Sequence, residues 1–139
     1  MPYFCYETFR TMKNRPSDSE LEIMQVLWDK GPLTVREVND LLNQSRNVGY
    51  TTTLKIMQIM HEKGLLERDE RQRSHIYAPT LQAEQVQSGI LDHVVKTAFR
   101  GSSSSLVLQA LGHHSATAEE LAEIKAMIEK LEKDQDAIV

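Results

Sequence analysis

Residues 48–77 read V-G-Y-T-T-T-L-K-I-M-Q-I-M-H-E-K-G-L-L-E-R-D-E-R-Q-R-S-H-I-Y, and the reading of this stretch decides the fold. Apolar residues recur at helical spacing between Gly49 and Gly64, which predicts a helix over residues 51–63. Thr53, Ile56, Met57 and Met60 form its core face, while Tyr50, Thr51, Thr52, Lys55 and Gln58 face outward. Leu54 and Ile59 add an apolar flank, and Gly64 supplies the stop. Two strand-like runs follow, Leu65-Leu66-Glu67-Arg68 and Ser74-His75-Ile76-Tyr77, joined by a charged tip that holds neither Gly nor Pro. Pro79 ends the second run. A helix that opens with Tyr-Thr-Thr-Thr and leads into a ribbon with two arginines at its turn has the pattern of a winged helix–turn–helix. The helix start offers hydroxyls to base edges and phosphates, and the ribbon offers charge to the nucleic-acid backbone.

Upstream, the chain supplies the other helices such a unit needs. Ser17-Asp18-Ser19-Glu20 is a capping box, followed by Leu21, Met24, Leu27 and Trp28 at helical spacing and the stop Gly31-Pro32. Leu33 adds a short strand. Thr34-Val35-Arg36-Glu37 is a second capping box, with Val38, Leu41 and Leu42 as the apolar stripe of a helix ending near Gln44. A short polar connector, Ser45-Arg46-Asn47-Val48-Gly49, then leads to the third helix and completes a helix-turn-helix candidate. Residues 1–14 read as a disordered tail, the functional alternative being a docking arm built on Tyr3, Phe4, Tyr6 and Phe9.

From Leu81 onward the pattern is purely helical. Val86, Ile90, Val94 and Ala98, flanked by Leu91 and Val95, stripe a helix to about Phe99. The serines at 102–105 read as a helix N-terminus with one of them as the cap, because Leu106, Val107, Leu108 and Leu111 follow directly. Gly112-His113-His114 ends that helix. Thr117-Ala118-Glu119-Glu120 is a third capping box, and Leu121, Ile124, Met127, Ile128 and Leu131 give an apolar seam to about Asp134, with a fraying tail beyond. Broad apolar faces on short charged helices point to dimerisation through Ile90, Val94, Leu106, Leu108, Leu111, Leu121, Ile124, Ile128 and Leu131. Folding back on the N-terminal unit is the alternative. Two-fold association also suits a helix-turn-helix, since paired half-sites multiply a weak single-site affinity.

Charge bounds the function. The 139-residue chain carries a formal charge of −4, which by itself argues against nucleic acid. Its distribution softens that argument. Residues 46–75 hold Arg46, Lys55, Lys63, Arg68, Arg71 and Arg73 against Glu62, Glu67, Asp69 and Glu70, whereas residues 81–139 are net acidic. The lone Cys5 has neither disulfide nor zinc partners. No apolar run reaches the ~18 residues of a membrane span, and the aromatic-then-basic N-terminus inverts the order of a secretory signal, so a cytoplasmic protein without membrane insertion is expected. Glycine-rich phosphate loops, H-E-x-x-H and G-x-S-x-G are all missing, so an enzyme is not expected, nor a cofactor. His113-His114 lacks further ligands for a metal, and His61 and His75 flank the proposed DNA unit.

The fold expected is mainly α with a small β-hairpin: a winged helix-turn-helix DNA-binding domain over residues 15–80, then a helical dimerisation domain over 81–139. A winged domain that binds proteins rather than DNA is the alternative function.

Taken together and in order, S-D-S-E-L-E-I-M-Q-V-L-W, T-V-R-E-V, Y-T-T-T-L-K-I-M-Q-I-M-H-E-K-G-L-L-E-R, S-H-I-Y-A-P and the S-L-V-L at 105–108 resemble the BlaI/MecI penicillinase-repressor family. The resemblance covers residues 17 to about 133. It implies a dimeric winged-helix repressor on palindromic operators of β-lactamase or related genes. The positions matching the family's DNA-contacting helix start are Tyr50, Thr51 and Thr52, with Lys55 one turn on. A threonine hydroxyl and methyl can reach base edges, and Lys55 a phosphate or guanine. Arg46, Arg71 and Arg73 are phosphate candidates by charge alone. The resemblance also implies a membrane-bound sensor metalloprotease as partner and a cleavage region at Leu108, Gln109 and Ala110. Two departures stand out. Ile59 replaces a residue that is often basic in relatives, and Gln109-Ala110 stands where well-known members carry the cleaved Asn-Phe. The cysteine pairs of the copper-responsive branch are missing, so copper sensing is not expected.

Overall fold

The computed structural model describes residues 16–138; the tail and docking-arm readings of residues 1–14 lie outside them. Both N-terminal capping boxes form. The Ser17 hydroxyl accepts the Glu20 amide at 3.3 Å, and Glu20 Oε1 accepts the Ser17 amide at 2.9 Å. This starts α1 (Asp18–Lys30). Its buried face is Glu20, Ile23, Met24 and Leu27, the i, i+3, i+4, i+7 set, with Leu21 and Trp28 packed at the margin. Gly31 ends the helix at φ +89°, a conformation that favours glycine.

β1 (Leu33–Thr34) leads directly into α2 (Val35–Leu42), where Thr34 and Glu37 repeat the reciprocal cap. α2 buries Val35, Val38 and Leu42. α3 (Tyr50–Glu62) buries Thr53, Met57 and Met60, the face expected from its periodicity. Gly64, at φ +84°, turns the chain into β2 (Leu66–Asp69) and β3 (Ile76–Pro79). The sheet is antiparallel in the order β1-β3-β2, with Leu33 and Arg68 both opposite Tyr77, and Leu66 opposite Pro79.

The strands lie later in the chain than their apolar pattern suggested. Leu65 and the pair Ser74-His75 fall outside them, and Pro79 is the last paired residue rather than the stop. The cause is the tip. A two-residue hairpin turn needs residues that accept positive φ, usually Gly or Asn, and none stands between Asp69 and Ile76. The connection therefore takes residues 70–75, organised by Asp69, whose carboxylate accepts the Arg71 amide at 3.0 Å.

Ile23, Met24, Leu27, Val38, Met57, Met60, Leu65, Leu66, Tyr77, Leu81 and Val86 make one buried core. Burying such side chains is worth roughly 1.5–3 kcal/mol each before conformational entropy is set against it. Two polar ties cross it. Lys63 Nζ lies 3.0 Å from the buried Glu20 carboxylate, and Trp28 Nε1 donates to the Leu81 carbonyl at 2.9 Å. Burial alone would raise the Glu20 pKa, but the Ser17 amide and Lys63 outweigh it and hold the carboxyl below its ordinary value.

The chain divides into two compact units, one ending at Asp92 and the other beginning at His93. α4 (Ala83–Ala98) spans that boundary, placing Val86 in the first core and Ile90 against it. In the second unit, Arg100 and Gly101 adopt positive φ. Ser102 then caps α5 (Ser103–His113), its hydroxyl accepting the Ser105 amide at 3.2 Å. Thr117 accepts the Glu120 amide at 3.1 Å and opens α6 (Ala118–Ile138). The fraying expected beyond Asp134 does not occur; Gln135, Asp136 and Ala137 include no helix breaker, so the helix continues to Ile138. Among the described residues no helix is long and apolar enough to cross a membrane.

Candidate nucleic-acid interface

The start of α3 is held by two asparagines. Asn43 Nδ2 donates to the carbonyls of Asn39 at 2.7 Å and Val48 at 2.8 Å, while its Oδ1 accepts the Val48 amide at 3.1 Å. The Asn39 amide group and the Thr53 hydroxyl lie 2.8 Å apart, joining α2 to α3. These bonds close the connector and fix where Tyr50, Thr51 and Thr52 emerge. Gly49 caps α3 without a side-chain hydrogen bond. The first-turn amides thus have no side-chain acceptor, and the helix N-terminus stays open to an anion.

Tyr50, Thr51, Thr52, Lys55 and Gln58 are all exposed on α3, as are Arg46 in the connector and Arg71 and Arg73 in the tip. Only some of them line a common groove. A groove of about 390 Å³ runs between α3 and the wing. Tyr50, Gln58 and Arg73 line it together with Arg36, Leu54, Arg68, Ser74, His75 and Tyr77. Thr51, Thr52, Lys55, Arg46 and Arg71 lie outside that lining.

The cations differ in how far they are already neutralised. Arg46 forks onto Glu22 Oε1 through Nε at 3.0 Å and Nη2 at 2.7 Å. Arg71 grips Asp69 through Nε at 3.0 Å and Nη2 at 2.7 Å. The Arg71 side chain, helped by its backbone amide, pulls the Asp69 pKa down to about 2. Arg68 pairs with Glu70 and lowers its pKa in the same way. Lys55, Arg73 and Arg36 have no ion pair among the described residues. The interface therefore holds three pre-paired and three unpaired cations.

Arg36 was not among the residues expected at this interface, and His75 was expected only to flank it; both line the groove. His61 instead packs edge-on to Tyr77 at 6.5 Å between ring centroids. The signal for Arg36 was present: a cation in the first turn of a helix, where the dipole prefers an acid. Among the described residues no group of His, Cys, Asp and Glu is arranged to hold a metal ion.

In the second unit, Leu108, Leu111, Leu121, Ile128 and Leu131 are exposed, while Val94, Leu106 and Ile124 are half-buried. Ile90 instead packs against the first core. Leu108, Gln109 and Ala110 lie within α5, all exposed.

A sequence profile of the penicillinase repressor family matches residues 16–130. The chain belongs to that family. It is a family of transcriptional regulators, not of enzymes. The transcriptional regulator BlaI of Mycobacterium tuberculosis is 32% identical over 78 residues, covering 55% of this chain and 56% of that protein. This chain thus matches little more than half the length of that relative. The penicillinase repressor of Bacillus licheniformis is 25% identical over 121 residues, covering 86% of this chain and 94% of that one. The solved DNA-binding domain of the repressor BlaI is 28% identical with a TM-score of 0.47, covering 53% of this chain and 93% of that one. The element order α1-β1-α2-α3-β2-β3, with its three-stranded antiparallel sheet, is that of a winged helix-turn-helix.

Proposed function

We propose that this chain is a dimeric, sequence-specific DNA-binding repressor acting in the cytoplasm on palindromic operators of β-lactamase or related genes. The observation that carries the reading is the open start of α3 beside a groove edged by Arg36, Tyr50, Gln58 and Arg73. Such a helix can enter a major groove with its first turn at the base edges while the wing lies along the backbone. Residues 15–80 make the DNA contacts: Tyr50, Thr51, Thr52, Lys55 and Gln58 from the helix, and Arg46, Arg71 and Arg73 toward phosphates. Residues 81–139 join two copies, supported by the exposed apolar side chains of α5 and α6.

Relief of repression is by cleavage within residues 101–110, carried out by a membrane-bound sensor metalloprotease in response to antibiotic. Gln109-Ala110 in place of the family's usual bond means that either the cognate protease has a different side-chain preference or induction works another way.

The test is footprinting of the region upstream of the protein's own gene over a salt series. A two-fold protected site whose affinity falls steeply with salt is expected. Salt-insensitive behaviour, with no protection of that or neighbouring promoters, overturns the reading and favours a protein-binding winged domain.

A further inference from the structure

Arg36 stands apart from the other arginines of the interface in what holds it. Arg46, Arg68 and Arg71 each rest on a carboxylate, from Glu22, Glu70 and Asp69. Arg36 rests on an aromatic face: its guanidinium carbon lies 5.9 Å from the centroid of the Tyr50 ring. The two types of partner have different consequences. A carboxylate cancels the charge and occupies the N–H donors of the guanidinium. A ring beneath the guanidinium is attracted by its quadrupole, yet leaves the positive charge and the N–H edge available to an acceptor.

Position adds to this. Arg36 is exposed in the first turn of α2, just after the Thr34 cap, where the helix dipole disfavours a cation. The acid of that turn, Glu37, is bound back to Thr34 rather than to Arg36, so Arg36 has no carboxylate partner among the described residues. Arg36 and Tyr50 line the same groove, opposite Arg73 and His75 of the wing.

We propose that Arg36 is a DNA-contacting residue supplied by α2, and that the Tyr50 ring is the plate that holds its guanidinium in the groove. Tyr50 thus has two roles, at the start of α3 and as a positioning residue for Arg36. This inference rests on the DNA-binding reading above and assigns a contact to a residue outside the connector, α3 and the wing tip.

The test uses the full chain and two labelled duplexes, one from the region upstream of its own gene and one scrambled duplex of equal length. Affinity is read by fluorescence anisotropy over a sodium chloride series for wild type, R36Q, R36K, Y50F, Y50L and the R36Q/Y50L double variant. R36Q is expected to weaken binding to the upstream duplex by about fivefold or more and to lower the salt slope by about one. R36K should keep the slope but lose affinity, because a point charge does not reproduce the planar fork of donors of a guanidinium. Y50F keeps the ring face and the response to R36Q. Y50L should weaken binding and leave R36Q with little further effect.

An R36Q protein with wild-type helical circular dichroism and unchanged affinity and slope overturns the proposal. Strict additivity of R36Q and Y50L overturns the role of the ring. If wild type binds neither duplex, the DNA-binding reading fails first, an outcome distinct from wild-type binding that is indifferent to Arg36.

Discussion

The two units use the same apolar residue types in opposite ways. In the first, Met24, Met57 and Met60 are 0% exposed and Leu27 1%, so its side chains close a core within one chain. In the second, Leu108 is 70%, Met127 58% and Leu131 54% exposed, and α5 buries no side chain. The first unit is finished as a folded object, with an open helix start and three cations, Arg36, Lys55 and Arg73, that have no ion pair among the described residues. The second has satisfied caps and unsatisfied apolar faces. Polar incompleteness in one unit and apolar incompleteness in the other suit different partners, which on the proposed function are DNA for the first and a second copy for the second.

The most severe way to break this comparison is to place a charge on the exposed seam. Ile128→Asp should leave the first unit folded and turn a dimer into a monomer in sedimentation experiments. Operator affinity should fall about a hundredfold or more as bivalency is lost. A variant that remains dimeric would remove the contrast between the units. Next in size is a change to the finished core: Met57→Ala should cost about 2–5 kcal/mol in urea unfolding. The same truncation at exposed Met127, followed in a dilute, dissociated sample, should cost far less.

On the DNA side, Lys55→Ala should weaken operator binding by about 1–3 kcal/mol if the lysine reads a base, with no change in melting temperature. The smallest effect belongs to Asp69→Asn, which releases Arg71 from its internal carboxylate. Binding should tighten a few-fold, chiefly at low salt, since exposed pairs are weak and screened.

The pH behaviour of that pair has a definite sign. The folded Asp69 pKa, about 2, lies below its ordinary 3.8. Its stabilising contribution is therefore complete above pH ~4 and is lost as pH falls through about 2. Carboxyl NMR titration should show Asp69 returning toward 3.8 in Arg71→Ala, and neither protein should show an Asp69-linked change between pH 5 and 8.

Much of this was legible from residue order because it is local. The boxes at Ser17–Glu20 and Thr34–Glu37, the buried face Thr53-Met57-Met60 and the stop at Gly64 depend on residues within a few positions of each other. What escaped depends on groups brought together by folding. Glu20 meets Lys63, and Arg36 meets Tyr50, across different helices. No periodicity encodes either meeting. The strand boundaries moved because a tip without a positive-φ residue needs more chain than the apolar pattern reveals. The exposed candidates Thr51, Thr52 and Lys55 were readable as an outward face, but which outward residues line the groove required the wing to be in place.

Leu108, Gln109 and Ala110 lie inside α5, not in a loop. A protease binds its substrate extended, so the proposed cleavage there would have to wait for α5 to unwind locally. In a lone chain, a helix with no buried side chain opens readily; in a dimer that covers its apolar face, opening is rare. Susceptibility to the protease would then report how many copies are paired. Newly made or dissociated repressor would be destroyed first and operator-bound pairs last, making the length of α5's closed lifetime the timer of induction.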